Sequence, residues 1–159
     1  MSGDLRLLNR QRTRPLDLRL LRKIVHHLLA ERLQLQDFDL TVQFVNATKM
    51  ARLNESIMQH EGSTDVITLD YSDGGKASPL IGAIFLCVDE ALIQGRKFRT
   101  QWPAELVRYI IHGVLHLRGF DDRSAAKRRR MKREETRLLG ALAREFNLSK
   151  LRGKSRLGA

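Results

Sequence analysis

The chain has 159 residues, of which 42% are hydrophobic, 30% are charged and 6% are aromatic. This length favours one domain, and the apolar share is sufficient for a core that forms without metal. The only cysteine, Cys87, excludes an internal disulfide and a thiolate-rich metal site. The arginine-rich first residues predict no secretory signal, and the longest apolar stretch, residues 79–88, is too short to span a bilayer. We therefore expect a cytoplasmic protein with neither a membrane partner nor a disulfide-linked one.

The charge is strongly unbalanced, with 29 Lys and Arg residues against 18 acidic ones and a net charge of +11. A field of this sign favours polyanions, so RNA, DNA and anionic membranes are the candidate partners. The excess is concentrated near the C-terminal end, where residues 127–133 read KRRRMKR. A solvated helix face is the alternative interpretation of this run. We divide the chain into a domain at residues 1–148 and a basic tail at residues 149–159.

The apolar pattern predicts an α+β fold with helices gathered toward the C-terminal end. Alternation and β-branched content predict four strands, at residues 5–8, 40–44, 64–69 and 79–88. Helical spacing and capping residues predict helices over residues 16–33, after Asn46, over 89–98, from Trp102 to Gly119 and after Ser124. The nearly all-apolar run at 79–88 indicates a strand covered on both faces. Its Gly-rich connection to residues 64–69 indicates an antiparallel hairpin.

One segment, HGVLHLRGFDD at residues 112–122, carries the chemistry. His112 and His116 are four apart, so both imidazoles project from one face of a helix, which is a spacing that serves one metal ion. Gly119 permits a sharp turn that brings Asp122 back as a third ligand. Two nitrogens and one carboxylate oxygen form a catalytic zinc ligand set with one position open to water. We predict one divalent metal ion, with Zn²⁺ favoured, at His112, His116 and Asp122.

The sequence alone leaves several alternatives to this metal site open. Asp121 is a second candidate for the third ligand, or it caps the last helix. A pair of histidines four apart also arises by chance in helices that bind no metal. The same spacing occurs in metalloproteases, but these need a Glu directly after the first His. Gly113 occupies this position, so a protease would lack its general base.

Three blocks of sequence occur in order, LNESIMQHEGSTDVITLD at 53–70, LIGAIFLC at 80–87 and HGVLHLRGFDD at 112–122. The last block resembles HGxLHLxGYDH, the signature of the YbeY family of bacterial metal-dependent endoribonucleases. The first block is similar to the family's LN segment followed by TDVLSF, and the second is similar to its strand with Gly-Asp-Ile. Because order, spacing and length agree, the resemblance covers nearly the whole chain.

The resemblance implies a single α+β domain in which about five helices pack on a four-stranded mixed sheet. It places the metal site at the end of a core helix. The implied function is a single-strand-specific endoribonuclease acting in ribosomal RNA processing, maturation and ribosome quality control. Its implied partners are ribosomal RNA and the small ribosomal subunit. The alternative is a non-catalytic RNA- or ribosome-binding protein with a structural metal.

Three positions depart from the family pattern. Asp122 replaces the third His of the signature, which adds negative charge and weakens the Lewis acidity of the metal. Met58 occupies the position at which many members have an Arg proposed to contact phosphate. Ala83 replaces the usual acidic residue of the strand. Together these departures favour the non-catalytic alternative.

Three further residues are candidates for roles near the metal. His60 is a candidate proton carrier or phosphate contact, and an exposed loop histidine is the alternative. Arg118 and Arg123 flank the ligand loop and are candidates for phosphate contact with RNA, with surface solubility as their alternative role.

Overall fold

A mixed sheet forms the centre of the molecule in the computed structural model, which describes residues 3–58, 64–72 and 79–153. In this part of the chain the sheet has four strands: β1 (Gly3–Asn9), β2 (Phe38–Val45), β3 (Val66–Asp70) and β4 (Leu80–Cys87). The strand order is β1-β2-β4-β3. The prediction of four strands is confirmed, with ends that differ from the predicted ones by one or two residues.

The position of β4 follows from its composition. It pairs in parallel with β2 and antiparallel with β3, so it is one of the two central strands. An apolar run suits a strand covered on both faces, and Leu80, Ile84, Leu86 and Cys87 are at most 2% exposed. The predicted central strand and the predicted antiparallel hairpin are both confirmed.

The described residues contain five α-helices: α1 (Leu18–His27), α2 (Ala47–Leu53), α3 (Val88–Phe98), α4 (Trp102–Leu117) and α5 (Ala125–Glu145). Wider π-helical turns at Leu28–Arg32 and Asn54–Met58 continue α1 and α2. The side chains of Asp17, Asn46 and Ser124 accept backbone N–H groups at the starts of α1, α2 and α5. Asn46 and Ser124 are therefore the helix caps that the sequence predicts.

The main core lies between the sheet and the helices α1, α4 and α5. Helix α4 contributes most directly, because the five apolar residues of its predicted stripe are at most 1% exposed: Val107, Ile110, Ile111, Val114 and Leu115. A smaller cluster contains Val45, Met50, Ile67 and Cys87 and lies on the opposite face of the sheet, beside α2. The predicted α+β fold of one domain is thus confirmed.

The chain returns to the start of α1 after α5. A short 3₁₀ turn at Leu148–Leu151 buries Leu151, and Arg152 forms a single antiparallel bridge with Leu16. Residues 154–159 lie outside the described residues. The predicted boundary between a domain at 1–148 and a tail at 149–159 stays a prediction. No helix in the described ranges is both long enough and apolar enough to cross a membrane.

Gly82 is a position in β4 at which a side chain does not fit. A Cβ there would lie 2.5 Å from the backbone oxygen of Leu69 and 2.8 Å from Leu117 Cδ2. Because the backbone of β3 cannot move without breaking its pairing, we expect Gly82→Ala to destabilise the fold by about 1–3 kcal/mol. Urea unfolding followed by circular dichroism measures this change.

Gly140→Ala provides the matched control for this substitution. Gly140 lies within α5, and a Cβ there would meet only Arg144 Nη1 at 3.6 Å. Ala is favoured over Gly inside a helix by about 1 kcal/mol, so this variant should be as stable as the unaltered chain or more stable. Equal losses in the two variants would contradict the packing described for Gly82.

Candidate metal centre

The last two turns of α4 present His112 and His116 on one face of the helix. Residues four apart on a helix lie one above the other, and the two Nε2 atoms are 3.0 Å apart. The two rings are nearly perpendicular, at an interplanar angle of 79°. Both residues are half-buried, beside the apolar stripe that fixes α4 on the sheet. The helix therefore brings two imidazole nitrogens to one point.

The neighbours of the two Nδ1 atoms determine which nitrogen of each imidazole carries the hydrogen. His112 Nδ1 lies 3.3 Å from Glu135 Oε2, and His116 Nδ1 lies 3.1 Å from the carbonyl oxygen of Phe120. Both neighbours are acceptors, so we assign the hydrogen of each neutral ring to Nδ1. The Nε2 lone pairs then face each other across 3.0 Å. Such a pair repels unless a cation or a proton lies between the two atoms.

The turn after α4 brings Asp122 to the same point. Gly119 has a φ of +97°, which favours glycine, and Phe120 N–H donates to Leu115 O to close the helix end. The candidate ligand atoms of His112, His116 and Asp122 all lie within 4.8 Å of one another. In a tetrahedral zinc site two nitrogens are about 3.3 Å apart. The three residues could therefore hold one metal ion.

Asp121 occupies a different position in this loop. Its carboxylate accepts the backbone N–H of Arg123 at 3.0 Å and lies 3.4 Å from Lys127 Nζ. These contacts hold the pKa of Asp121 below its usual value, mainly through the backbone hydrogen bond. Asp121 thus stabilises the loop before α5, while the exposed carboxylate of Asp122 belongs to the group around the histidines.

The two histidines differ in their electrostatic environment. Burial lowers the pKa of His112, but the hydrogen bond and charge of Glu135, with the charges of Asp65 and Asp122, raise that pKa above its usual value overall. Burial and the neighbouring His112 lower the pKa of His116. A first proton therefore binds at His112 and leaves His116 neutral.

A cavity of about 370 Å³ opens beside the two histidines, against the edge strand β3. Asn54, Thr64, Thr68 and Asp70 contribute polar groups to its lining. Asn54 is only 6% exposed. The two histidines therefore lie at the wall of a cleft between α4, β3 and the turn after α2, and this cleft has both polar and apolar lining.

The two other positions that depart from the family pattern differ in their location relative to this cleft. Met58 lines the cleft and is 44% exposed. Ala83 lies on the opposite face of β4, because Gly82 and Ile84 are the residues that face α4. The departure at Ala83 therefore does not alter the wall of the cleft.

The two arginines lie at the ends of the ligand loop. Arg118 follows α4 and is half-buried, and Arg123 is exposed directly after Asp122. His60 falls outside the described residues. The phosphate contacts predicted for these three residues stay predictions.

Glu135 is the site residue that the sequence reasoning did not identify. It is 9% exposed and lies on α5, far along the chain from His112. A signal was present, since Glu135 falls on the same helical stripe as the buried residues Met131, Leu138 and Leu142. A carboxylate in such a stripe requires a buried partner.

The comparisons with known proteins agree with this geometry. A family model described as Endoribonuclease YbeY matches residues 6–143. The chain belongs to the YbeY family. This membership confirms the predicted resemblance and the prediction of an RNA-cleaving hydrolase, and it does not favour the non-catalytic alternative.

Individual members of the YbeY family support the same assignment. Endoribonuclease YbeY of Parabacteroides distasonis is 36% identical over 107 residues, which are 67% of this chain and 73% of the relative. The Salinibacter ruber member is 30% identical over 137 residues, 82% of this chain and 86% of the relative. A solution structure of a Thermotoga maritima protein has a TM-score of 0.66 at 22% identity and covers 98% of this chain and 99% of that one. This structural likeness supports the fold alone.

The contact between Glu135 and His112 generates a test of metal affinity. A carboxylate that orients a ligating imidazole contributes about 10- to 100-fold to metal affinity. We expect Glu135→Gln to weaken zinc binding by about this factor, measured by competition with a chromophoric chelator. The control is Glu134→Gln, because Glu134 pairs with Arg137 on the exposed side of α5. Equal affinities in the two variants would contradict the role of Glu135.

The raised pKa of His112 generates a test of pH dependence. Metal binding needs a neutral imidazole, so zinc affinity should be constant at high pH. It should fall as the pH drops through the raised pKa of His112, with an onset above the usual value of 6.5. Glu135→Gln removes the contact that raises this pKa, so the onset should move to lower pH. Chelator competition at a series of pH values checks this, and an unchanged onset would exclude Glu135 as the cause.

Proposed function

We propose that this chain is a single-strand-specific, metal-dependent endoribonuclease acting in ribosomal RNA processing, maturation and ribosome quality control. The observation that carries the proposal is that candidate ligand atoms of His112, His116 and Asp122 lie within 4.8 Å of one another, beside a cleft that the two histidines line. Membership of a family described as Endoribonuclease YbeY supports RNA as the substrate.

His112 and His116 would hold the metal through Nε2, and Asp122 would hold it through a carboxylate oxygen. We propose zinc, because two imidazoles and one carboxylate are a ligand set of catalytic zinc sites. A zinc ion held by these residues would supply Lewis acidity toward a phosphoryl oxygen and would make a water molecule more acidic. Nδ1 of His112 donates to the Glu135 carboxylate and Nδ1 of His116 donates to the Phe120 carbonyl oxygen, and these contacts keep the Nε2 atoms directed at the cleft.

The protein groups around the cleft would position the RNA. Arg118 and Arg123 lie at the two ends of the ligand loop and are suited to bind the phosphates on either side of the scissile bond. Asn54 and Thr68 line the cleft and offer hydrogen bonds to sugar or base. The histidines are half-buried, so the phosphodiester must enter the cleft. An unpaired strand can do so because its bases can be splayed apart.

The proposed partners follow from this activity. They are ribosomal RNA and the small ribosomal subunit, and the net charge of +11 supports binding to a polyanion. We place the activity in the cytoplasm, the site of ribosome assembly in bacteria. Only one cysteine is present, Cys87, and it is buried, which is compatible with a reducing compartment.

The test combines metal content with RNA cleavage. Protein purified without chelator should hold about one zinc per chain by mass spectrometry, as a three-ligand site requires. His116→Ala and Asp122→Ala should lose this metal. Both should cut single-stranded RNA at least about 100-fold more slowly, because a Lewis acid contributes several kcal/mol to such a reaction.

Asp121→Asn is the matched control for Asp122→Ala. The amide oxygen can still accept the N–H of Arg123, so metal content and cleavage should stay near the values of the unaltered chain. Full metal loss in Asp121→Asn, with metal retained in Asp122→Ala, would make Asp121 the third ligand in place of Asp122. Absence of metal after zinc is added back would refute the catalytic proposal and leave the non-catalytic RNA-binding alternative.

A further inference from the structure

The first half of α5 has an unusual concentration of positive charge. Seven of the eleven residues from 123 to 133 are Lys or Arg, and none is acidic. The residues from 125 to 133 are exposed apart from Met131. The charge therefore lies on the surface of a well-defined helix rather than in a tail.

This concentration of positive charge destabilises α5. The N-terminal end of a helix favours acidic residues, because the macrodipole is positive there, yet the first turn of α5 contains none. Arg129 and Arg133 are four apart on one face, as are Arg128 and Lys132, and like charges at this spacing repel. The pattern is unfavourable for the isolated chain and becomes favourable when a polyanion binds.

Some of these cations already have contacts in the protein. Lys127 lies 3.4 Å from the Asp121 carboxylate, Arg128 donates to the Asp122 carbonyl oxygen, and Arg130 lies over the Phe120 ring. Three others are exposed and form no salt bridge in the described part of the chain: Arg129, Lys132 and Arg133. We call these three residues the outer basic face of α5.

The position of the outer basic face follows from the helix period. Successive residues are 100° apart, so Arg129 and Arg133 lie opposite the buried Met131 and Glu135, and Lys132 lies on the adjoining flank. Glu135 contacts His112 from the inner side of the same helix. Since a helix with side chains is about 10–12 Å across, the outer basic face is only a few nucleotides of RNA away from the metal centre.

We propose that the outer basic face of α5 binds the phosphate backbone of the substrate RNA beyond the scissile bond. This inference rests on the proposed function. It makes α5 a second contact surface for long RNA, separate from the cleft beside β3. A membrane fits this face less well, because the apolar side of α5 is buried in the core and leaves no residues to insert into lipid.

The test compares two sets of three substitutions. One variant carries Arg129→Gln, Lys132→Gln and Arg133→Gln. The control carries Arg19→Gln, Lys23→Gln and Arg96→Gln, which remove three exposed cations from α1 and α3. Circular dichroism checks that both fold, and the first variant should keep its helix because it removes like-charge repulsion.

Fluorescence anisotropy then measures binding of a labelled 20-nucleotide single-stranded RNA at several salt concentrations. Each phosphate contact to a single strand contributes about 0.7 to the salt slope, so the first variant should lose about 2 from this slope. Its Kd at low salt should rise at least about 10-fold. The control should change less than threefold. Cleavage of an RNA dinucleotide, which has no phosphate beyond the scissile one, should be the same in all three proteins.

Other outcomes separate this inference from the proposed function. Unchanged affinity for the long RNA in the first variant would overturn the inference, even if the chain cleaves RNA. Loss of binding to vesicles of anionic phospholipid, with RNA affinity unchanged, would overturn it in favour of a membrane. If the unaltered chain cuts neither RNA but the first variant still loses affinity for the long one, the RNA-binding face stands and the proposed cleavage fails.

Discussion

Helix α4 packs directly on β4, and the contact between Gly113 and Ile84 allows this approach. A Cβ on Gly113 would lie 2.8 Å from Ile84 Cδ1, so a larger residue would force either the Ile84 side chain or the helix to shift. His112 precedes Gly113 and His116 follows one turn later. The same contact therefore fixes the position of both imidazoles relative to β3. Gly113, which occupies the position of the catalytic Glu in metalloproteases, therefore has a structural role at the site.

Much of the site could be predicted because its information is local. The spacing of His112 and His116 and the left-handed turn at Gly119 depend on neighbouring residues alone, and they predicted a group of residues that the structure brings together. The strands and helices were also predictable, because apolar period and capping are local signals. The hairpin of β3 and β4 belongs to the same class, since its two strands are close in sequence.

The remainder depends on contacts between distant parts of the chain. The strand order β1-β2-β4-β3 includes parallel pairs, and the residue pattern of a strand does not name its partner. Glu135 reaches His112 only because α5 packs along α4. Likewise, the departure at Ala83 counted against activity in the sequence, yet the pleat of β4 turns it away from the cleft. Such outcomes follow from tertiary packing and from the face that each residue occupies.

The group of His112, His116 and Asp122 is built on a core that apolar packing completes. The stripe of α4 is at most 1% exposed, and Glu135 and the Phe120 carbonyl group hold both rings in place. Folding and metal occupancy are therefore separate equilibria, in contrast to zinc fingers, in which the ion stabilises the fold. In a cell short of the metal, such a chain would stay folded but inactive and would regain its activity when the ion returned, without new synthesis.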